Sequence, residues 1–441
     1  MVIIPNNRDD LVQNILKEKF DLTSDSKIIV VGEGITGTSV ANFLRAHDLP
    51  FATVDSRKTA FTFDTFKGAT HLIVSPGVAL SEPTIADALN SGAKLVSDID
   101  LFAAVVNVPI VGITGANGKS TVTTMLGDMA RACGKHVGVG GNLGKPALDL
   151  LDPKADLYVL ELSSFQLERS HILNAAAATV LNISADHLDR HDDLDNYAQA
   201  KEVAFSGNGV MVLNLDDAMV SAMRDENRKT LTFSVKQKAD FYLADNNLMH
   251  DENALMSLSD FPLEGKHNAA NALAALALGT AIGLNTEKMC EALKYFKALH
   301  HRMEKISTKN GINWVNDSKA TNIGACIAAL EGYDEKVILV AGGEGKGQDM
   351  NELAPVIQAK AKAVILIGKD ALQIEVAINQ LSEIVPTYHA QDMQEVAAIA
   401  AHVGKSGDTV LLSPACASLD QYKNYQDRGN QFAAAIEALP A

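Results

Sequence analysis

Cysteine is scarce in this chain of 441 residues: Cys133, Cys290, Cys326 and Cys416 stand far apart and form no CxxC pair. Neither a disulfide framework nor a thiolate zinc site can be read from them, and such sparing use fits a reducing compartment. Positive charge is also in deficit, with Lys+Arg 38 against Asp+Glu 54 and a net charge of −16. A field of that sign repels nucleic-acid phosphates and anionic lipid, so neither nucleic acid nor a membrane is expected as a partner. An anionic ligand must then be held locally, by backbone N–H groups, a few placed cations or a metal. No apolar stretch of about 18 residues runs without a breaker. The amino-terminal segment MVIIPNNRDDLVQNILKEKF has no basic region followed by an apolar one, so a cytoplasmic protein is expected. No short-period repeat, heptad array or low-complexity tract occurs, which removes solenoids and coiled coils.

What is present is the usage of an ordinary globular protein, 47% hydrophobic and 21% charged. The length suits about two to four domains at roughly 100 to 200 residues each. Short apolar runs alternate with helix-like stretches: KIIVV, HLIVS, VPIVGIT, LYVLEL, ATVLNIS, GVMVLN, KVILVAGG, AVILIG and TVLLSP. Runs bounded by glycine and separated by helices indicate βαβ units and parallel sheets buried on both faces, so the fold class is α/β. Three segments open with such a run, at Lys27, Val108 and Lys336. Boundaries near residues 97 and 298 divide the chain into 1–97, 98–298 and 299–441.

The most specific motif joins the strand VPIVGI to a helix through Thr114-Gly115-Ala116-Asn117-Gly118-Lys119-Ser120. Glycines let backbone N–H groups wrap phosphate oxygens, and a helix N-terminus adds its dipole. Lys119 would reach the β/γ-phosphates and the Ser120 hydroxyl a magnesium ion, in a shortened variant of the usual P-loop. A second glycine motif, Gly32-Glu33-Gly34-Ile35-Thr36-Gly37, follows KIIVV, and Asp55 ends the next strand. This GxGxxG would serve NAD, another nucleotide or merely a tight turn, and Arg57 would suit a diphosphate.

Candidates for metal chemistry lie between. Glu161 ends LYVLE, where an ATPase places a carboxylate for magnesium, and Asp186-His187 follows ATVLNIS. His187 and His191 have the i, i+4 spacing of a zinc pair, but no third ligand is evident, and His191 is expected as a surface residue. Asn268 and Asn271 open the helical pattern KHNAANALAALA, where they would cap the helix or read a base edge.

Taken together, TGANGKST, GNLG, ELSSFQLE, NISADHLDRH, the lysine of YAQAKEVAF, GKHNAANALAALA, HHRME, NDSKATN, GGEGKG and LLSPACASLDQYKNYQDRGNQF resemble the Mur ligase family. The resemblance covers nearly the whole chain. Some of these motifs are shared with folylpolyglutamate synthases, which are not expected to carry a nucleotide-binding domain ahead of the P-loop. A dehydrogenase reading of GxGxxG leaves TGANGKST unexplained.

The resemblance implies three α/β domains: a Rossmann-like amino-terminal one, a central P-loop ATPase with a parallel-rich sheet, and a Rossmann-like carboxy-terminal one. It implies ATP-dependent amide ligation in peptidoglycan precursor synthesis, joining D-glutamate to UDP-N-acetylmuramoyl-L-alanine, by a monomer. Thr36, Asp55, Ser56, Arg57 and Gly77 would contact the uridine diphosphate, with Asn142 near the sugar. Gly115, Asn117, Gly118, Lys119, Ser120, Thr121, Asn271, Arg302 and Asp317 match ATP positions. Ser120, Glu161, His187 and Lys201 match the positions that serve two Mg²⁺ ions, with Lys201 at the place of a carbamylated lysine; Lys119, His187 and Lys201 match catalytic positions. Thr321, Lys346, Ser418, Leu419 and Tyr425 would bind D-glutamate; position 425 is commonly phenylalanine in the family.

Overall fold

A computed structural model describes residues 8–263 and 265–440, so the first residues of the amino-terminal segment lie outside the described ones. Three sheets organise the chain. The first holds β1 (Ile28–Val31), β2 (Phe51–Val54), β3 (His71–Val74) and β4 (Lys94–Leu95) in the order β2-β1-β3-β4, all parallel. β1 and β3 are buried along their whole length, which is why they read as unbroken apolar runs.

The second sheet has nine strands: β5 (Ile110–Thr114), β6 (Val137–Gly141), β7 (Leu157–Glu161), β8 (Ala177–Val180), β9 (Val210–Asn214), β10 (Thr230–Ser234), β11 (Phe241–Ala244), β12 (Asn247–His250) and β13 (Asn253–Ser257). Their order is β13-β12-β11-β10-β9-β8-β5-β7-β6, parallel from β6 to β11. The last three strands are antiparallel, an extension that the apolar runs do not signal. Its strands are short and half polar, and β11 turns into β12 through Asp245 and Asn246, both at positive φ (46° and 61°). That is the backbone of a two-residue hairpin.

The third sheet comprises β14 (Glu304–Lys309), β15 (Ile312–Asn316), β16 (Val337–Gly342), β17 (Ala361–Ile367), β18 (Thr387–His389) and β19 (Thr409–Leu412), in the order β14-β15-β19-β16-β17-β18. Only β14 and β15 are antiparallel, joined at Asn310-Gly311. Alternation along β16 sends Val337, Leu339 and Ala341 into one core and Ile338 and Val340 into another, so each face of this sheet is covered by helices.

The chain divides into two compact units. The first runs to Asn182 and also takes Asp195–Asp260 and Ala270–Tyr295; the second takes Ile183–Leu194, Phe261–Ala269 and the chain from Phe296. The first two sheets belong to the first unit and the third to the second. Among the described residues no helix is long and apolar enough to cross a membrane.

Candidate active site

In the first unit, three loops leave the carboxyl ends of β1, β3 and β2 side by side, because Val31 is in register with both Val54 and Val74. The loop after β1 needs glycine twice. Gly32 has φ +91°, and a Cβ on Gly37 would strike the Gly32 carbonyl, so the helix Ile35–Ala46 lies close against the strand only without a side chain there. Asp55, 6% exposed, closes the loop by accepting from Glu33 N (2.8 Å), Arg57 N (2.9 Å) and the Arg57 guanidinium (2.9 and 2.5 Å). The hydrogen-bonded Arg57 holds the Asp55 carboxyl well below the usual carboxylate range. Thr36, Asp55, Ser56, Arg57, Gly77 and Asn142 all line one cavity of about 470 Å³. Its remaining walls include the Ser75–Val78 turn and Gln166.

The P-loop follows β5. Gly115 (φ +147°) and Gly118 (φ +85°) turn the chain into the helix Lys119–Ala132. A Cβ on Gly118 would collide with Asn271 Oδ1, so Asn271 lies directly on the loop. Asn271 stands in the second turn of the helix Lys266–Ala281, one turn later than the sequence pattern suggests, which makes it a loop-packing residue and not a cap. Lys119 Nζ donates to the Gly115 and Ala116 carbonyls, both at 2.7 Å. Ser120 and Thr121 are buried in the first turn of the same helix.

Asn182 is a site residue that sequence reasoning missed. Its carbonyl accepts from Ala116 N (2.9 Å), its Oδ1 from Asn117 N (2.8 Å), and its Nδ2 donates to Asn117 O (3.1 Å). It lies just past β8, the neighbour of β5, and that place at a strand end was the available signal.

Glu161, 3% exposed, ends β7 and sits in register with Ile113 of β5 and Gly141 of β6. Asn142 donates to Glu161 Oε1 at 2.6 Å. The carboxylate is thereby placed at the ends of adjacent parallel strands, beside the P-loop. Lys201 is 1% exposed, so it is no surface lysine; its Nζ donates to Gly115 O (3.0 Å) and lies 4.3 Å from the Tyr197 ring centroid.

The second unit carries the other candidates. His187, at φ +56°, has Nε2 3.7 Å from Asp186 Oδ2. Asp186 also accepts from Lys346 Nζ (3.0 Å) and Asn322 Nδ2 (3.2 Å). Burial pushes its carboxyl up, but the Lys346 and His187 charges and these hydrogen bonds outweigh that and leave it below the ordinary value. His191, expected at the surface, is 6% exposed at the end of the short helix Leu188–His191, so it is a buried residue.

Glu344 and Ala417 exchange backbone hydrogen bonds (3.0 and 2.9 Å), bringing the Lys346 turn beside Ser418 and Leu419. Ser418 is buried and Leu419 is 68% exposed. Tyr425 begins the helix Tyr425–Ala438, with Lys319 Nζ 4.1 Å from its ring centroid and its carbonyl accepting from Ser318 Oγ at 2.8 Å. Thr321, half-buried, precedes Asn322, which caps the helix Ile323–Glu331. Asp317, beside Arg302, is buried, and burial pushes its carboxyl up to about 7 although Ser413 Oγ and Met303 N donate to it. Among the described residues, no three His, Cys, Asp or Glu side chains gather into a metal cluster.

Residues 113–279 match the Mur ligase middle domain and residues 301–416 the Mur ligase glutamate ligase domain. The UDP-N-acetylmuramoylalanine–D-glutamate ligase of Methylococcus capsulatus is 46% identical over 439 residues, spanning 94% of this chain and 95% of that protein. The protein of the same name from Marinobacter nauticus is 43% identical, spanning 95% and 99%. Among solved structures, a UDP-N-acetylmuramate-alanine ligase from Thermotoga maritima superposes with TM-score 0.61 at 18% identity, covering 93% of this chain and 99% of that one, a likeness of fold. A P-loop beside a strand-end carboxylate, two matched domain models and full-length relatives agree: the chain belongs to the Mur ligase family.

Proposed function

We propose that this chain joins the amine of D-glutamate to the L-alanine carboxylate of UDP-N-acetylmuramoyl-L-alanine, converting ATP to ADP and phosphate, as a monomer in the cytoplasm. The observation that carries the reading is the 46% identity, over nearly the full length of both chains, to a ligase of that name. A carboxylate is a poor electrophile, so the L-alanine carboxylate first attacks the γ-phosphate of ATP, giving an acyl phosphate and ADP. The D-glutamate amine then attacks the acyl carbon, and the tetrahedral intermediate expels phosphate.

The first step brings anions together, so charge neutralisation matters more than any covalent residue. Lys119 supplies a cation at the helix start; its two carbonyl partners are exchanged for phosphate oxygens, which are stronger acceptors. The Ser120 hydroxyl and the Glu161 carboxylate are hard oxygen donors of the kind magnesium takes together with phosphates and water. Bound there, magnesium would neutralise phosphate charge. Two ions are proposed in all, with His187 and a carbamate on Lys201 as further ligands. Arg302, Asp317 and Asn271 are assigned to the nucleotide. The cavity at Thr36, Asp55 and Arg57 is assigned to the uridine diphosphate, and Thr321, Lys346, Ser418, Leu419 and Tyr425 to D-glutamate, whose carboxylates suit the Lys346 cation.

The test is phosphate release measured over a matrix of UDP-muramoyl acceptors and amino acids. Turnover is expected with UDP-N-acetylmuramoyl-L-alanine and D-glutamate together. Turnover with a different pair, and none with this one, would overturn the assignment.

A further inference from the structure

Arg169 lies two residues beyond the helix Ser164–Leu167 and is 1% exposed. Its guanidinium reaches back to the first sheet: Nη1 donates to the carbonyls of Val74 (2.9 Å) and Ser75 (2.6 Å), and Nη2 to that of Val78 (2.7 Å). Glu168 Oε1 accepts from Nε (3.3 Å) and Nη2 (2.9 Å) of the same group and orients it. Val74 ends β3, and Ser75 to Val78 form the turn that walls the 470 Å³ cavity. The turn in turn braces the glycine motif, since Ser75 Oγ donates to Gly32 O at 3.1 Å. One buried cation therefore holds one wall, and that wall holds the next.

Buried carbonyls need donors, and within the turn Val78 N supplies one, to Ser75 O. A planar fork serves three carbonyls in fixed directions, which an ammonium on a flexible stem does not. We propose that Arg169 is a positioning residue for the uridine-diphosphate end of the substrate. It sets the Ser75–Val78 turn against the glycine motif, so that the cavity is formed before ligand arrives, and it ties that turn to the segment following Glu161. Arg169 itself touches no ligand. The inference rests on the reading that this cavity takes the uridine diphosphate.

Steady-state kinetics of Arg169→Lys and Glu168→Gln, with each substrate varied in turn, test it. In Arg169→Lys the KM for UDP-N-acetylmuramoyl-L-alanine should rise about tenfold or more, with kcat within about twofold and the KM values for ATP and D-glutamate unmoved, since uniform binding and not transition-state binding is lost. Glu168→Gln should shift the same KM by less. Hydrogen exchange should quicken at residues 75–78 in Arg169→Lys. An unchanged KM, or equal increases in all three KM values, would overturn the proposal. Should Arg169→Lys fail to fold, the KM split in Glu168→Gln decides. If the wild-type chain does not turn over this substrate, the functional reading fails, and calorimetry of UMP decides the role of Arg169 separately. Weaker or lost UMP binding in the variants supports it, and binding equal to the wild type's, or none by the wild type, refutes it.

Discussion

Lys201 shows how burial changes what a residue can do. Its polar helical surroundings suggest an exposed lysine, yet it is 1% exposed, over the Tyr197 ring and against the Gly115 carbonyl of the P-loop. A charged group so placed must be partnered, and its partner is a carbonyl of the glycine loop proposed to hold phosphate. If it works as a carbamate, Lys201→Ala should lose activity by about 100-fold or more, the scale of removing one electrostatic contact to the reacting groups. Part of that activity should return when a short carboxylic acid is supplied. Lys201→Arg keeps the cation but cannot form the carbamate, and should stay inactive without rescue. Full activity in either variant would remove the carbamate from the mechanism.

At the scale of an element, the helix Asp98–Val105 starts with Ser97 as its cap and an almost fully buried Asp98 as its first residue. Burial pushes the Asp98 carboxyl up to about 6, against the pull of Gln166 Nε2 at 3.4 Å. Its value in the unfolded chain is the ordinary 3.8, so the folded form favours the protonated acid. That contribution to stability is fully present below pH 3.8 and is lost as pH rises through about 6. Asp98→Asn keeps an acceptor for Gln166 and removes the charge. Thermal melts should find the variant gaining on the wild type between about pH 4 and pH 7, the window set by the two values, by at most about 3 kcal/mol at 1.36 kcal/mol per pKa step, and levelling off above it. A difference that does not vary with pH would refute this. The structure also explains which elements the sequence hid. β14 and β15 meet at Asn310-Gly311, both at positive φ (56° and 73°), and an Asn-Gly pair is the one local mark that this hairpin leaves in the sequence.

At the scale of the whole molecule, the cavity residues Thr36, Asp55, Arg57, Gly77 and Asn142 all belong to the first unit. A ligand held by one unit stabilises that unit by mass action, by about 2.7 kcal/mol at a concentration of 100 Kd. Hydrogen exchange with UDP-N-acetylmuramoyl-L-alanine, in the absence of ATP, should therefore slow in β1, β3 and β6 and leave the six-stranded sheet unchanged. Slowing confined to the six-stranded sheet would contradict the assignment of the cavity.

By itself the sequence determined the α/β class, the parallel strands and the P-loop, because these depend on local chemistry. An apolar run such as VPIVGI must be buried on both faces, and Gly115 and Gly118 adopt backbone angles that other residues resist. Only the tertiary structure decided that Asn182 anchors the P-loop, that Lys201 and His191 are buried, and that Arg169 braces a turn about ninety residues away in sequence. It also decided that Ile183–Leu194 and Phe261–Ala269 join the second unit. Those outcomes rest on hydrogen bonds and packing between residues distant in the chain, and a polar side chain carries no mark in its own neighbourhood of the carbonyl it will meet.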